Sequence, residues 1–130
     1  MSGSNRPHKN LEVWKESILL VKMIYKLCHN LPVDEKFGLI SQLKRASVSV
    51  SANIAEGAAR QTNKEFYQFL SISSGSLSEI DTLIEISLSL EIVDLENSNK
   101  IFEQLNKVTA LLNELKRKVL VDISKNEEIS

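Results

Sequence analysis

The sequence predicts an all-α fold, an antiparallel up-down-up-down four-helix bundle that assembles as a ring-like homo-oligomer. The 130 residues include only 4 glycines and 2 prolines, too few for the regular turns of a β-sandwich or the loops of an α/β domain. Four long segments instead repeat apolar residues at steps of three and four, and short links join them, which favours helices that pack as neighbours. We expect the bundle at residues 10–121, between a flexible arm at 1–9 and a frayed tail at 122–130.

The first helix begins near Leu11, with Asn10 as its N-cap, and Pro32 ends it. Its predicted core seam consists of Leu11, Trp14, Ile18, Val21, Tyr25 and Cys28. A second apolar stripe consists of Leu20, Ile24, Leu27 and Leu31. One seam is enough to fill a bundle core, so the surplus apolar surface predicts contact with another subunit.

The second segment, about residues 34–58, contains conflicting patterns. From Ser47 to Ser51, serine and valine alternate with the period of a β-strand. Apolar and small residues keep the helical steps of three and four straight through this tract, and no strand-turn signal flanks it. A helix is therefore favoured, with a seam of Leu39, Leu43, Ala46, Val50, Asn53 and Gly57.

A capping box from Thr62 to Glu65 opens the third helix, with each side chain expected to bond the other residue's amide. The third seam consists of Phe66, Leu70, Ser73, Leu77, Ile80, Ile84 and Ser87. Asp94 or Ser98 caps the fourth helix, whose seam consists of Ile101, Leu105, Val108, Leu112, Leu115 and Val119.

Composition excludes several classes of function. Net charge is −1, so no overall field draws the protein to nucleic acid or a membrane, and no apolar run is long enough to cross a bilayer. Cys28 is the only cysteine, which excludes an internal disulfide and favours a cytoplasmic location. The histidines His8 and His29 belong to no metal-binding motif, and no nucleophile motif occurs. We expect no enzyme activity, no cofactor and no metal.

Polar residues on one face of the second helix are the most informative group. They are Gln42, Arg45, Ser49, Asn53, Glu56 and Arg60, spaced by three or four. In a hairpin of helices two and three, Arg45 lies opposite Ser76 and Glu79. The spacing predicts a partly buried Arg45–Glu79 contact, completed by Gln42 and Ser76, with Glu56 opposite Glu65. The six residues of helix two, together with Ser76 and Glu79 of helix three, form a set of eight that we call the polar stripe. It is interpreted either as a device that fixes helix register or as a groove for a phosphate or an acidic partner.

Basic residues raise a second hypothesis, that the protein binds nucleic acid. The run Lys116-Arg117-Lys118 near the end of helix four has no aromatic residues interleaved for base stacking, so a solvated face explains it better. If RNA or DNA binds, the candidate contacts are Lys44, Arg45, Arg60, Lys116, Arg117 and Lys118.

Residues 10–120 resemble a known family. Leu11-Glu-Val-Trp14, the segment Phe37 to Ala46, the block Asn53-Ile-Ala-Glu-Gly57, Glu65-Phe66 and Gly75-Ser-Leu-Ser-Glu79 are similar to those of 23S ribosomal RNA intervening-sequence proteins. The resemblance implies a bacterial, non-enzymatic four-helix bundle that forms a homopentamer. It also implies kinship with accessory proteins of diversity-generating retroelements, which are pentameric and contact nucleic acid and a reverse transcriptase. The matching positions are Gln42, Arg45, Asn53, Glu56, Gly57, Arg60, Ser76 and Glu79.

The retroelement accessory proteins are strongly basic, whereas this chain is near neutral. The sequence therefore predicts a non-catalytic, oligomeric helical adaptor that acts through protein contacts. The alternative is a weak RNA- or DNA-binding module with basic groups on one face of a pentamer.

Overall fold

The computed structural model describes residues 6–129, and four long helices account for most of them. They are α1 (Glu12–His29), α2 (Ser41–Ala58), α3 (Asn63–Ser89) and α4 (Leu95–Ile129). No β-strand occurs in residues 6–129, so the all-α prediction is confirmed. Helix α2 packs on α1 and α3, and α4 packs on α1 and α3, around one shared core.

The serine–valine tract lies inside α2, as the helical spacing predicted. The predicted start of this helix near residue 34 is wrong. A short 3₁₀ turn spans Val33–Glu35, and the helical turn Lys36–Ile40 is interrupted at Gly38, whose φ of −103° and ψ of −108° are not helical. Regular α-helix therefore begins at Ser41 and not near residue 34.

The predicted caps of α3 and α4 are present, with one difference at α3. The Thr62 side chain accepts a hydrogen bond from the Glu65 amide, at 3.2 Å. The Glu65 carboxylate accepts from the Thr62 hydroxyl at 3.1 Å, and not from the Thr62 amide as the capping box predicted. Asp94 caps α4 by accepting from the Asn97 amide at 2.7 Å. The cap predicted at Asn10 is wrong, because Leu11 occupies the N-cap position of α1 and no side chain bonds there.

Helix α3 ends in a Schellman motif. The Ile92 amide donates to the Ser87 carbonyl at 2.9 Å, and the Glu91 amide donates to the Leu88 carbonyl at 3.0 Å. This geometry places Glu91 at a φ of 59°, the left-handed region that usually holds glycine. The short link between α3 and α4 therefore contains a residue under backbone strain.

The ends of the chain are more helical than the sequence indicated. Within the predicted arm, Pro7–Asn10 form a 3₁₀ turn, and the His8 ring lies edge-on to Trp14 with centroids 4.9 Å apart. Within the predicted frayed tail, α4 continues to Ile129. No glycine or proline breaks the helix there, and Ile123 still packs against the core. Residues 1–5 and 130 of those two segments lie outside the described residues.

The core contains the predicted seams of α2, α3 and α4, with one exchange in α1. The buried residues of α1 are Val13, Ser17, Leu20, Ile24, Leu27 and Cys28. Three of them, Leu20, Ile24 and Leu27, belong to the second stripe, and only Cys28 belongs to the predicted seam. Of the predicted seam, Trp14, Ile18 and Val21 are only half-buried and Tyr25 is 42% exposed. The stripe expected to fill the core is therefore the one that remains partly exposed.

Candidate functional site on the second and third helices

Two serines of α2, Ser49 and Ser51, form hydrogen bonds to the two neighbouring helices, α3 and α1. The Ser51 hydroxyl lies 2.8 Å from the Ser17 hydroxyl of α1, and both residues are buried. Ser49 lies on the other flank of the helix, because residues two apart are about 200° apart around a helix. There the Ser76 hydroxyl of α3 donates to the Ser49 hydroxyl at 2.9 Å. The alternation that resembled a strand thus places hydroxyls on opposite flanks of a helix.

The polar stripe lies along the contact between α2 and α3. Asn53 donates to the Ser49 carbonyl at 2.8 Å and to its hydroxyl at 3.0 Å. Close beside them, the buried Ser73 of α3 donates to the Val50 carbonyl at 3.0 Å. These bonds satisfy polar groups that the helix contact removes from water, so they favour one register of α3 on α2.

Arg45 and Glu79 form the predicted contact, and Glu79 is partly buried as expected, whereas Arg45 is largely exposed. The Arg45 guanidinium donates to a Glu79 oxygen at 3.1 Å, and the two side chains are 66% and 37% exposed. Ser76 bonds Ser49 and not Arg45, so the register of α3 on α2 differs by about one turn from the predicted one. Gln42 is exposed. An exposed pair of this kind contributes about 0–1 kcal/mol, far less than a buried one.

The second charged pair lies near the end of α2. Arg60 bonds the Glu56 carboxylate one turn earlier, and its guanidinium lies over the Phe69 ring of α3, 4.7 Å from the ring centroid. Glu65, expected opposite Glu56, instead bonds Thr62. Each arginine of the polar stripe is therefore paired with a carboxylate of the same stripe, which leaves a neutral surface and weakens the reading as a phosphate groove.

Gly57 lies where α3 approaches α2 too closely for a side chain. A β-carbon at this position would lie 2.8 Å from Phe69 Cβ, 2.9 Å from Phe66 Cδ1 and 3.3 Å from the Phe66 carbonyl oxygen. No real side chain tolerates such distances without a shift of the helices. The glycine of the Asn53–Gly57 block therefore acts through packing.

The structure does not gather the candidate nucleic-acid contacts on one face. Lys44 lies over the Tyr25 ring of α1, 4.9 Å from its centroid, while Arg45 points to α3. Lys116 lies over the Tyr67 ring at 5.3 Å and donates to the Ser74 hydroxyl at 3.4 Å. The remaining three are Arg60, in its pair with Glu56, and the exposed Arg117 and Lys118. Four of the six cations thus have a partner within the bundle.

A polar link between α1 and α4 has no signal in the sequence. Gln104 donates to the Glu16 carbonyl at 2.8 Å and to its carboxylate at 3.0 Å, and Lys107 lies 3.3 Å from the same oxygen. These hydrogen bonds and the lysine lower the pKa of Glu16. The partners are 88 residues apart, beyond the reach of any local spacing rule.

The chemistry of catalytic sites is not apparent in the described residues. Among residues 6–129, no group of three or more His, Cys, Asp and Glu side chains could hold a metal ion. Cys28 is a buried free thiol, and burial raises its pKa, which disfavours the nucleophilic thiolate. Across the same part of the chain, no helix is both long and apolar enough to span a bilayer.

Comparison with solved structures supports the fold. The chain is similar to the crystal structure of a protein of unknown function from the S23 ribosomal protein family of Bacteroides thetaiotaomicron VPI-5482. The TM-score is 0.74 at 24% identity, over 80% of this chain and 97% of the other. At that identity the likeness concerns the fold alone. Comparison with curated proteins gives no match.

The family profile of the 23S rRNA-intervening sequence protein matches residues 9–114. That range includes the polar stripe, Gly57, the whole predicted α1 seam and most of the α4 seam. Because the match covers far more than half of the chain, the protein belongs to the 23S rRNA-intervening sequence protein family.

Proposed function

We propose that this protein is a non-catalytic, oligomeric helical adaptor, an antiparallel up-down-up-down bundle that self-associates and acts through protein contacts. The observation that carries the proposal is an apolar surface left exposed on one side of the bundle. We call it the α2-side apolar face. Its members are Trp14, Ile18, Val21, Tyr25, Val48, Ala52, Ile72 and Ile86.

These residues belong to adjoining helix flanks. The α1 members follow the flank on which Lys44 of α2 lies over Tyr25. On α3, Ile72 and Ile86 lie one and two turns from Phe69 and Glu79, which contact α2. Ile72 is 51% exposed and Ile86 is 41% exposed. Exposed apolar side chains thus occur on three neighbouring helices, on both sides of the polar stripe between α2 and α3, and such a cluster is typical of a protein interface.

The opposite side of the bundle provides an internal contrast. Between residues 99 and 117 the outward positions of α4 are Asn99, Glu103, Asn106, Ala110, Asn113 and Arg117, and all of them are exposed. Farther along the helix, Leu120 and Val121 are also exposed. This spacing of three and four presents polar and charged groups to water. One side of the same bundle is thus suited to solvent and the other to a partner surface.

Self-association is the simplest use of such a face, and five subunits is the number expected from the family resemblance. In that assembly the apolar flanks of neighbouring subunits cover each other, while the polar α4 side remains free for other proteins. The polar stripe then holds α2 and α3 in register, so that the apolar face keeps one shape.

Light scattering coupled to size exclusion tests this proposal. At micromolar concentration we expect a mass of five times the 14.6 kDa chain. Tyr25→Glu and Ile72→Glu each place a charge in the α2-side apolar face and should lower the mass while the far-ultraviolet circular dichroism stays helical. Asn106→Glu on α4 is the matched control and should leave the mass unchanged. A monomeric wild type, or an unchanged mass in both face variants, would refute the proposal.

The charge arrangement favours this function over nucleic-acid binding. The polar stripe is internally paired, and the six candidate cations lie on different flanks. Titration with a structured RNA at two salt concentrations separates the two functions, because phosphate contacts lose affinity steeply as salt rises. Submicromolar, strongly salt-dependent binding that is lost in Arg117→Gln/Lys118→Gln would favour the nucleic-acid module instead.

A further inference from the structure

One end of the bundle contains a cleft that the self-association model does not use. It lies between the end of α1, the α3–α4 link and the start of α4, and its volume is about 270 Å³. Ligand pockets usually measure roughly 300 to 1,000 Å³, so this cleft suits a small molecule or one apolar branch of a larger one. Because one chain forms the whole cleft, its occupancy can be tested independently of subunit contacts.

The floor of the cleft is apolar. Leu27, Leu31 and Ile101 are buried beneath it, and Met23, Ile92 and Val93 are partly buried around it. The floor contains no aromatic side chain, so it offers no stacking surface for a nucleobase. It fits an aliphatic group, which gains free energy from leaving water.

The rim of the cleft carries positive charge. Lys26 and Lys100 line it, and neither lies within ion-pair distance of a carboxylate in the part of the chain that the structure describes. The hydrogen bonds from Asn97 and, to a smaller extent, the charge of Lys100 lower the pKa of Asp94 on the same rim. The rim carboxylate, Asp94, is occupied by the α4 cap, since its two oxygens accept from the Asn97 amide and side chain at 2.7 Å each. Two amides, Asn30 and Asn97, complete the polar rim.

We propose that this cleft binds a small amphiphile with an aliphatic body and a single carboxylate. The aliphatic body lies on the Leu27, Leu31 and Ile101 floor, and the carboxylate lies at the rim, where it pairs with Lys26 or Lys100. Asp94 faces the same rim and disfavours ligands with two or more negative charges.

A second cleft in the same molecule makes the selection by charge testable. It measures about 160 Å³ at the start of α1, and its charged rim consists of Glu12, Glu114 and Lys118. Two carboxylates and one ammonium give that rim the opposite sign. An aliphatic anion should therefore bind the first cleft and not the second, whereas a cation should not prefer the first.

Calorimetric titration with octanoate as the probe, at low ionic strength, tests this proposal. We expect saturable binding to one site per chain, weaker binding of 1-octanol and weakest binding of octylammonium. The double variant Lys26→Gln/Lys100→Gln should weaken octanoate binding about threefold or more, because each exposed charge pair contributes up to roughly a factor of five. The matched control Lys118→Gln should leave it unchanged.

Three results would overturn the proposal: no saturable octanoate binding up to 10 mM, equal affinity for octylammonium, or an unchanged affinity in the double variant. Both lysines are exposed, so the double variant should fold, and circular dichroism checks this. Light scattering with and without octanoate measures the oligomeric state separately from ligand binding. If the protein is a monomer that binds octanoate, self-association is refuted and the proposed ligand site is supported.

Discussion

Gly57→Ala tests whether the close approach of α2 and α3 is set by a missing side chain. Alanine favours a helix over glycine by about 1 kcal/mol at an unobstructed position. At Gly57 the new β-carbon would lie within 2.8 Å of Phe69 Cβ and 2.9 Å of Phe66 Cδ1. Phe69 Cβ is fixed to the α3 backbone, so relief requires movement of a helix and not of a flexible side-chain end.

The magnitude follows from the two opposing terms. Overpacking of a formed core costs roughly 1 to 3 kcal/mol, and the gain in helix propensity offsets about 1 kcal/mol of it. We expect Gly57→Ala to lower the free energy of unfolding by about 0 to 2 kcal/mol. A shift of α3 would also disturb the stacking of Arg60 on Phe69, in which the guanidinium carbon lies 4.7 Å from the ring centroid.

Gly75 supplies the control within the same hairpin. It lies in α3, and a β-carbon there would have no atom within 4 Å. Gly75→Ala should therefore raise the free energy of unfolding by about 0.5 to 1 kcal/mol. Urea unfolding followed by circular dichroism should separate the two variants by about 0.5 to 3 kcal/mol. If Gly57→Ala is at least as stable as Gly75→Ala, the close-approach argument is wrong.

Three further predictions concern charged residues. Glu79→Ala, which removes the exposed partner of Arg45, should lower the free energy of unfolding by less than about 1 kcal/mol in urea; a loss of several kcal/mol would indicate that the pair is buried in the assembly. Glu91→Gly should raise the melting temperature, by the equivalent of about 0.5 to 1 kcal/mol, because glycine adopts the φ of 59° without strain; an unchanged or lower melting temperature would contradict the strain. Hydrogen bonds from Gln104 lower the pKa of Glu16 below its ordinary 4.5, so its carboxylate stabilises the fold above about pH 4.5 and loses this effect as pH falls through the lowered value. Glu16→Gln should therefore flatten the decline in stability on acidification, and an identical pH profile in wild type and variant would exclude the Glu16 link as a cause.

Helical spacing identified the four helices, the α3 and α4 caps and the Arg45–Glu79 pair, because each depends on residues three or four apart or on one hairpin. It assigned the wrong stripe of α1 to the core. Both stripes are apolar, and the core stripe includes Ser17, which looks unfavourable until its hydroxyl partner Ser51 is known. The spacing of apolar residues shows which residues share a face of a helix. It does not show which face packs against the neighbouring helices.

The exposure of the Arg45–Glu79 pair and the register of α3 on α2 could not be predicted from the sequence for a related reason. The Arg45–Glu79 pair follows from spacing, whereas its exposure depends on how far the side chains extend from the α2–α3 contact. Gly57 and the two phenylalanines set that separation, and Ser49 with Ser76 set the offset. The Glu16–Gln104 link depends on the docking of α1 against α4, so no local pattern encodes it.

The hydroxyl bridges of α2 have a mechanical consequence. Ser51 forms a hydrogen bond with Ser17 of α1, and Ser49 forms one with Ser76 of α3. Rotation of α2 about its own axis would therefore break both hydrogen bonds at once. A movement of α1 alone or of α3 alone would break only one of these two hydrogen bonds, so rotation of α2 is the more strongly restrained motion.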